Sequence, residues 1–167
     1  MRITLILTAL SLPLWFAGTA RAETKQVETF NGWTLYSNKD GNSPLCFVLS
    51  SPTSTEPAGA KRSPVHFYVS AWPREGVRSE ISVKNGYSFR KGSEVTVTVG
   101  SDAFKLFTQD ERAYVNDPIE ELKLLEAMKK GSTMVVEGVS ERGTATKDSY
   151  SLMGITKAVQ SLATGCE

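Results

Sequence analysis

Period-two alternation of apolar and polar residues constrains this chain more than any other feature of its sequence. In Val95-Thr96-Val97-Thr98-Val99 every second side chain is a valine. Successive side chains of a strand point to opposite faces, so this pattern buries one face and wets the other. The spacing recurs at Trp33 and Leu35, at Val65, Phe67 and Val69, at Ile81 and Val83, and at Phe104 and Leu106. Cys46-Phe47-Val48-Leu49 is continuously apolar, which suits a central strand, and residues 134–139 form a further apolar run. Asp40-Gly41, Asn85-Gly86, Lys91-Gly92 and Gly100-Ser101-Asp102 supply turn signals between these segments. Many short strands at this spacing predict a mainly β domain, a sandwich or barrel-like antiparallel sheet.

Two short α-helices are predicted, at about 117–130 and 154–163. Asp117 is a good N-cap, Pro118 suits the first helical position, and Glu120 stands where a capping box places its carboxylate. Ile119, Leu122, Leu125 and Met128, helped by Leu124, predict an apolar face. Lys129 and Lys130 complement the negative end of the dipole, and Gly131 can end the helix. In the second helix Leu152, Ile155, Val159 and Leu162 fall on one side.

The N-terminus reads as an export signal. Arg2 is followed by an almost wholly apolar stretch from Ile3 to Phe16 and by the small-residue site Ala20-Arg21-Ala22. A spanning helix needs roughly 20 apolar residues, and this run is shorter and contains Pro13. The expectation is a leader over 1–22, cut after Ala22, and a single β-rich domain over 23–167 working in the periplasm or at the cell surface. Two of the 19 basic residues, Arg2 and Arg21, lie in the leader, so the rest balance the 18 acidic residues to within one charge. That balance does not suit a nucleic-acid binder, and no later stretch has membrane-spanning length.

Cys46 and Cys166 are the only cysteines. In an oxidising compartment they are expected to pair. The bridge would close a loop of about 120 residues, worth roughly 4–5 kcal/mol on the chain-entropy account. Two free thiols or an intermolecular bridge are the alternatives.

No residue pattern demands catalysis, a cofactor or a metal. The one histidine, His66, lies in an alternating strand and reads as an outward polar residue. Ser88-Phe89-Arg90-Lys91 has the Ser-x-x-Lys spacing of some acyl-transfer enzymes, which place it at a helix start with partner motifs. Here it falls in a turn between strands. Residues 50–64, rich in Ser, Pro, Thr and Gly, predict a long loop, either slack or a binding element. Lys61 and Arg62 in that loop, and Trp72 near a strand end, are the candidate partner contacts.

With these elements placed, the chain resembles the invasion-associated locus B family of exported bacterial proteins. Phe30-Asn31-Gly32-Trp33-Thr34-Leu35-Tyr36 followed by Cys46-Phe47-Val48 is similar to the opening of that family. Asn85-Gly86-Tyr87-Ser88-Phe89-Arg90-Lys91-Gly92 resembles its mid-chain segment, and Lys129-Lys130-Gly131-Ser132 before Met134-Val135-Val136 its helix-to-strand step. Ser151-Leu152-Met153-Gly154-Ile155 resembles its closing segment. Ser37 stands where members commonly carry a cysteine, no cysteine pair precedes the long helix, and Cys166 is not part of the family pattern. The resemblance thus implies a rewired bridge. It also implies an envelope protein that acts by binding, in host interaction or envelope maintenance, without catalysis. Its partner would be an unidentified protein or envelope component. The alternative is a periplasmic inhibitor or chaperone that grips a protein through the 50–64 loop. A serine hydrolase built on Ser88 and Lys91 is a distant third.

Overall fold

The computed structural model describes residues 24–38 and 44–165. The expected leader, the Asp40-Gly41 turn and Cys166 lie outside the described residues. Eleven strands form one antiparallel sheet: β1 (Lys25–Phe30), β2 (Trp33–Asn38), β3 (Leu45–Ser50), β4 (Ser54–Glu56), β5 (His66–Trp72), β6 (Val77–Lys84), β7 (Glu94–Val99), β8 (Asp102–Gln109), β9 (Arg112–Tyr114), β10 (Thr133–Val139) and β11 (Ala145–Ser151). Their order across the sheet is β1-β2-β3-β5-β6-β9-β8-β7-β10-β11-β4. Helix α1 spans Pro118–Lys130 and α2 spans Ile155–Gly165. The sequence-predicted class, mainly β with two short helices, is the class observed.

The sheet curls on itself, and chain connectivity requires it. Ser50 ends β3, third from one edge, and Ser54 begins β4 at the opposite edge. Four Cα steps reach at most about 14 Å, so the two ends must lie side by side. The Trp33 indole N–H donates to the Ser151 carbonyl at 3.0 Å, joining β2 to β11 across the closure. Phe67 on β5 and Tyr150 on β11 meet edge to face at 5.9 Å.

One core fills the curl, and the alternating runs supply it as expected. Val95, Val97 and Val99 face in, opposite Leu106 and Phe104 of β8 and Val136 and Met134 of β10. Trp33, Leu35, Val48, Phe67, Val69, Ile81 and Val83 line the other half. Each fully buried Val, Leu or Phe contributes about 1.5–3 kcal/mol.

Helix α1 departs from its expected face. Leu124, Leu125 and Met128 are buried, but Ile119 is 64% and Leu122 58% exposed. The core-facing stripe instead starts at Glu121, whose carboxylate accepts the Ile81 backbone N–H at 2.6 Å. Asp117 Oδ1 caps the helix, accepting from the N–H groups of Ile119 at 2.7 Å and Glu120 at 3.0 Å. Glu120 pairs with Lys123 at 2.8 Å rather than reaching back to the cap. Gly131 does end the helix, but with extended backbone. It is small because a Cβ there would lie 2.5 Å from Val99 Cγ1.

Helix α2 buries Ile155, Ala158 and Leu162 against β2 and β3. Gly154 just before it has φ +96°, and a Cβ there would lie 2.1 Å from the Phe30 carbonyl oxygen. The end of β1 therefore sits directly on the start of α2.

Candidate functional site

The surface carries a groove of about 660 Å³. Three segments meet there: the loop after β4, the turn after β6 and the β10–β11 hairpin. Lys61, Ser63, Ser88 and Arg142 reach it, with Tyr87 and Thr146 toward its base.

The loop is held, not slack. Within the expected 50–64 loop, β4 pairs with β11 through Thr55↔Asp148 and its neighbours. The Thr53 N–H donates to the Ser149 carbonyl at 2.7 Å. Farther on, Arg62 makes a two-pronged ion pair with Asp148 of β11, its Nη1 donating to Oδ2 at 2.9 Å and its Nη2 to Oδ1. The Asp148 side chain is fully buried and that of Arg62 nearly so. The hydrogen bond to Asp148 is the main reason the Arg62 guanidinium holds its proton more tightly than usual. Arg62 also donates to the Asn85 carbonyl at 3.5 Å.

Beneath the groove a polar cluster continues inward. The Tyr87 and Thr146 hydroxyls are 2.6 Å apart, and Asn85 Nδ2 donates to the Tyr87 oxygen at 3.1 Å. Tyr150 is buried next to Asp148, and desolvation first, then that carboxylate, pushes its phenol far above the usual range. Two glycines make the arrangement possible. A Cβ at Gly138 would come within 3.0 Å of the Tyr87 hydroxyl. At Gly86, with φ +72°, it would lie 2.1 Å from the Ser63 carbonyl oxygen. The Ser63 N–H in turn donates to the Gly86 carbonyl at 3.0 Å, stitching loop to turn.

The structure thus brings Lys61 and Arg62 to one groove. Lys61 is exposed, whereas Arg62 is committed to Asp148. Trp72 is half-buried at the end of β5 and does not line the groove. Ser88 lies on the rim, with its carbonyl accepting from the Glu141 N–H at 2.8 Å. Phe89 bridges to Ser140, so Ser88 and Lys91 sit on extended and turn backbone, not on a helix start. His66 is half-buried with Nδ1 3.1 Å from Ser51 Oγ. Burial, then Lys84, lowers its pKa.

Cys46 is buried on β3, with Sγ 3.6 Å from Ser37 Oγ on the paired strand. The same sulfur lies 4.0 Å from the carbonyl oxygen of Gly165, the last described residue. Sequence reasoning missed Asp148, Tyr87, Thr146 and Arg142. The first of these left a signal: Thr146, Asp148 and Tyr150 alternate along what is now β11.

A curled antiparallel sheet with two helices packed into its core, and a polar groove at one end, defines the class: a small β-rich domain with a preformed concave surface. The model of the Invasion associated locus B (IalB) protein family matches residues 33–163, and the chain belongs to that family. The crystal structure of invasion associated protein B from Bartonella henselae is similar in fold, with a TM-score of 0.59 at 13% identity. The match covers 85% of this chain and 96% of that one. No curated protein matches the chain. Among the described residues no helix is long and apolar enough to cross a membrane.

Proposed function

We propose that this chain is an exported envelope protein, periplasmic or surface-associated, that works by binding and not by catalysis, in host interaction or envelope maintenance. The observation that carries the reading is the groove, whose walls are held by a buried ion pair and a strand pairing before any ligand arrives. A preformed concave surface avoids the cost of ordering loops on association. Family membership and the leader-like N-terminus support export. A bridge between Cys46 and Cys166 is part of the proposal, supported by the 4.0 Å approach of Cys46 Sγ to the residue before Cys166.

Crosslinking from intact cells tests the reading. The native chain should capture a defined partner, and a Lys61→Glu, Arg142→Glu double variant should lose it. A deletion strain with unaltered envelope integrity and host association would sink the proposal.

A second reading has its own support. The pinned 50–64 segment presents Lys61 on a rigid arm, as a protein inhibitor or chaperone would need. Periplasmic pull-down should then yield one stoichiometric protein, lost in Lys61→Glu and retained in Arg142→Glu.

A further inference from the structure

We propose that the groove binds an acidic saccharide, with Lys61 and Arg142 taking its anionic groups. The inference rests on the binding reading above and names its ligand class. Lys61 and Arg142 come from different segments, are both exposed, and have no ion-pair partner among the described residues. Arg90 does not line the groove but lies nearby, its Nη2 3.1 Å from where a Cβ would be on Gly143, the residue between Arg142 and Thr144 of the lining. Among the described residues Glu141 is the one acid of the lining, and the Asp148 carboxylate nearby is already paired with Arg62. The open charge in the groove is therefore positive, and it favours an anion.

The rest of the lining selects what carries that anion. Ser63, Ser88 and Thr144, each bearing a hydroxyl, are among the residues that line the groove. A hydroxyl both donates and accepts, so a row of them matches a polyol, whose own hydroxyls do the same. The volume of about 660 Å³ is within the range of small-molecule sites and far more than a lone oxyanion fills. An acidic peptide fits less well. Peptide recognition draws its energy from apolar and aromatic anchors in pockets, and among the described residues Tyr87 is the only ring lining this groove, with its hydroxyl already held by Thr146 and Asn85.

Calorimetric titration of the exported chain tests this with four probes: a heparin-derived tetrasaccharide, a hyaluronan tetrasaccharide, maltotetraose and sodium sulfate. Saturable binding of either acidic tetrasaccharide, weakened by salt, is expected. Heparin carries sulfates and carboxylates and hyaluronan carboxylates alone, so binding of heparin only would name sulfate as the anionic group and binding of both would name carboxylate as sufficient. Lys61→Glu with Arg142→Glu should weaken binding by about tenfold or more, as expected for lost charge-assisted hydrogen bonds. The double variant should melt with the native chain, since both side chains are exposed. Equal binding of maltotetraose would overturn the anionic requirement. Sulfate competing mole for mole with the tetrasaccharide would overturn the saccharide. No binding of any acidic saccharide would overturn the inference whole. If partner capture from cells still depends on Lys61 and Arg142 in that event, the binding reading stands and only its ligand class falls.

Discussion

Arg62 and Asp148 form a two-pronged ion pair in which the carboxylate is fully buried, 86 residues apart in the chain. The pair joins the loop after β4 to β11 and sets one wall of the groove on its floor. Removing one member leaves the other charged and buried. Arg62→Ala or Asp148→Ala should each destabilise the fold by about 3–5 kcal/mol, read from urea midpoints. Replacing both with apolar residues of similar volume should recover much of that loss. A loss below 1 kcal/mol for the single variants would show that the pair is solvated.

Helix α1 makes a sharp contrast between leucines of one turn. Leu125 is 5% exposed and Leu122 is 58% exposed. Leu125→Ala should cost about 2–5 kcal/mol, and Leu122→Lys should stay within about 0.5 kcal/mol of the native chain. Equal effects would mean that the helix packs with the face the apolar spacing suggested.

Glu121 links the fold to pH. Burial first, and then the nearby Glu80, raises its pKa above the ordinary 4.5, while the Ile81 N–H opposes the rise. A carboxyl with a raised folded pKa adds stability that is full below its unfolded value and is lost as pH rises through the folded one. Glu121→Gln removes this dependence. The variant should therefore gain on the native chain as pH rises above the ordinary 4.5 in paired denaturation curves. A gap that is constant with pH, or that moves in the opposite direction, would contradict the burial argument.

If Cys46 and Cys166 are bridged, unreduced exported protein should show no reactive thiol. Reduction should then lower stability by an amount bounded by about 4–5 kcal/mol. Two titratable thiols in the native chain would end the idea, and a covalent dimer on a non-reducing gel would favour the intermolecular alternative.

Much of the sheet was legible because its strands alternate. Val95, Val97 and Val99, or Phe67 and Val69, place the core face without reference to any neighbour. Strand β11 escaped because its inward residues include Thr146 and Asp148, and a buried carboxylate is invisible until its arginine is found in space. Strand β4 escaped because three residues, all exposed, carry no apolar pattern; only the edge of β11 makes them a strand. The exposed Ile119 and Leu122 misled for a related reason. Apolar spacing names a stripe, but the helix is turned so that Leu124, Leu125 and Met128 enter the core and the Glu121 carboxylate meets the Ile81 N–H.

The candidate site divides in the same way. Lys61 and Arg62 were marked as one basic pair, yet Lys61 is exposed and Arg62 is paired with the buried Asp148. Local pattern alone determined that this chain is β-rich, that two helices follow particular strands, and that the first 22 residues read as a leader. Those properties depend on the chain's own period and on its capping residues. The curl of the sheet, the groove and the division of labour between Lys61 and Arg62 were decided only in three dimensions. Each depends on a partner far along the chain, and a buried charge or backbone group has no defined role until that partner closes on it.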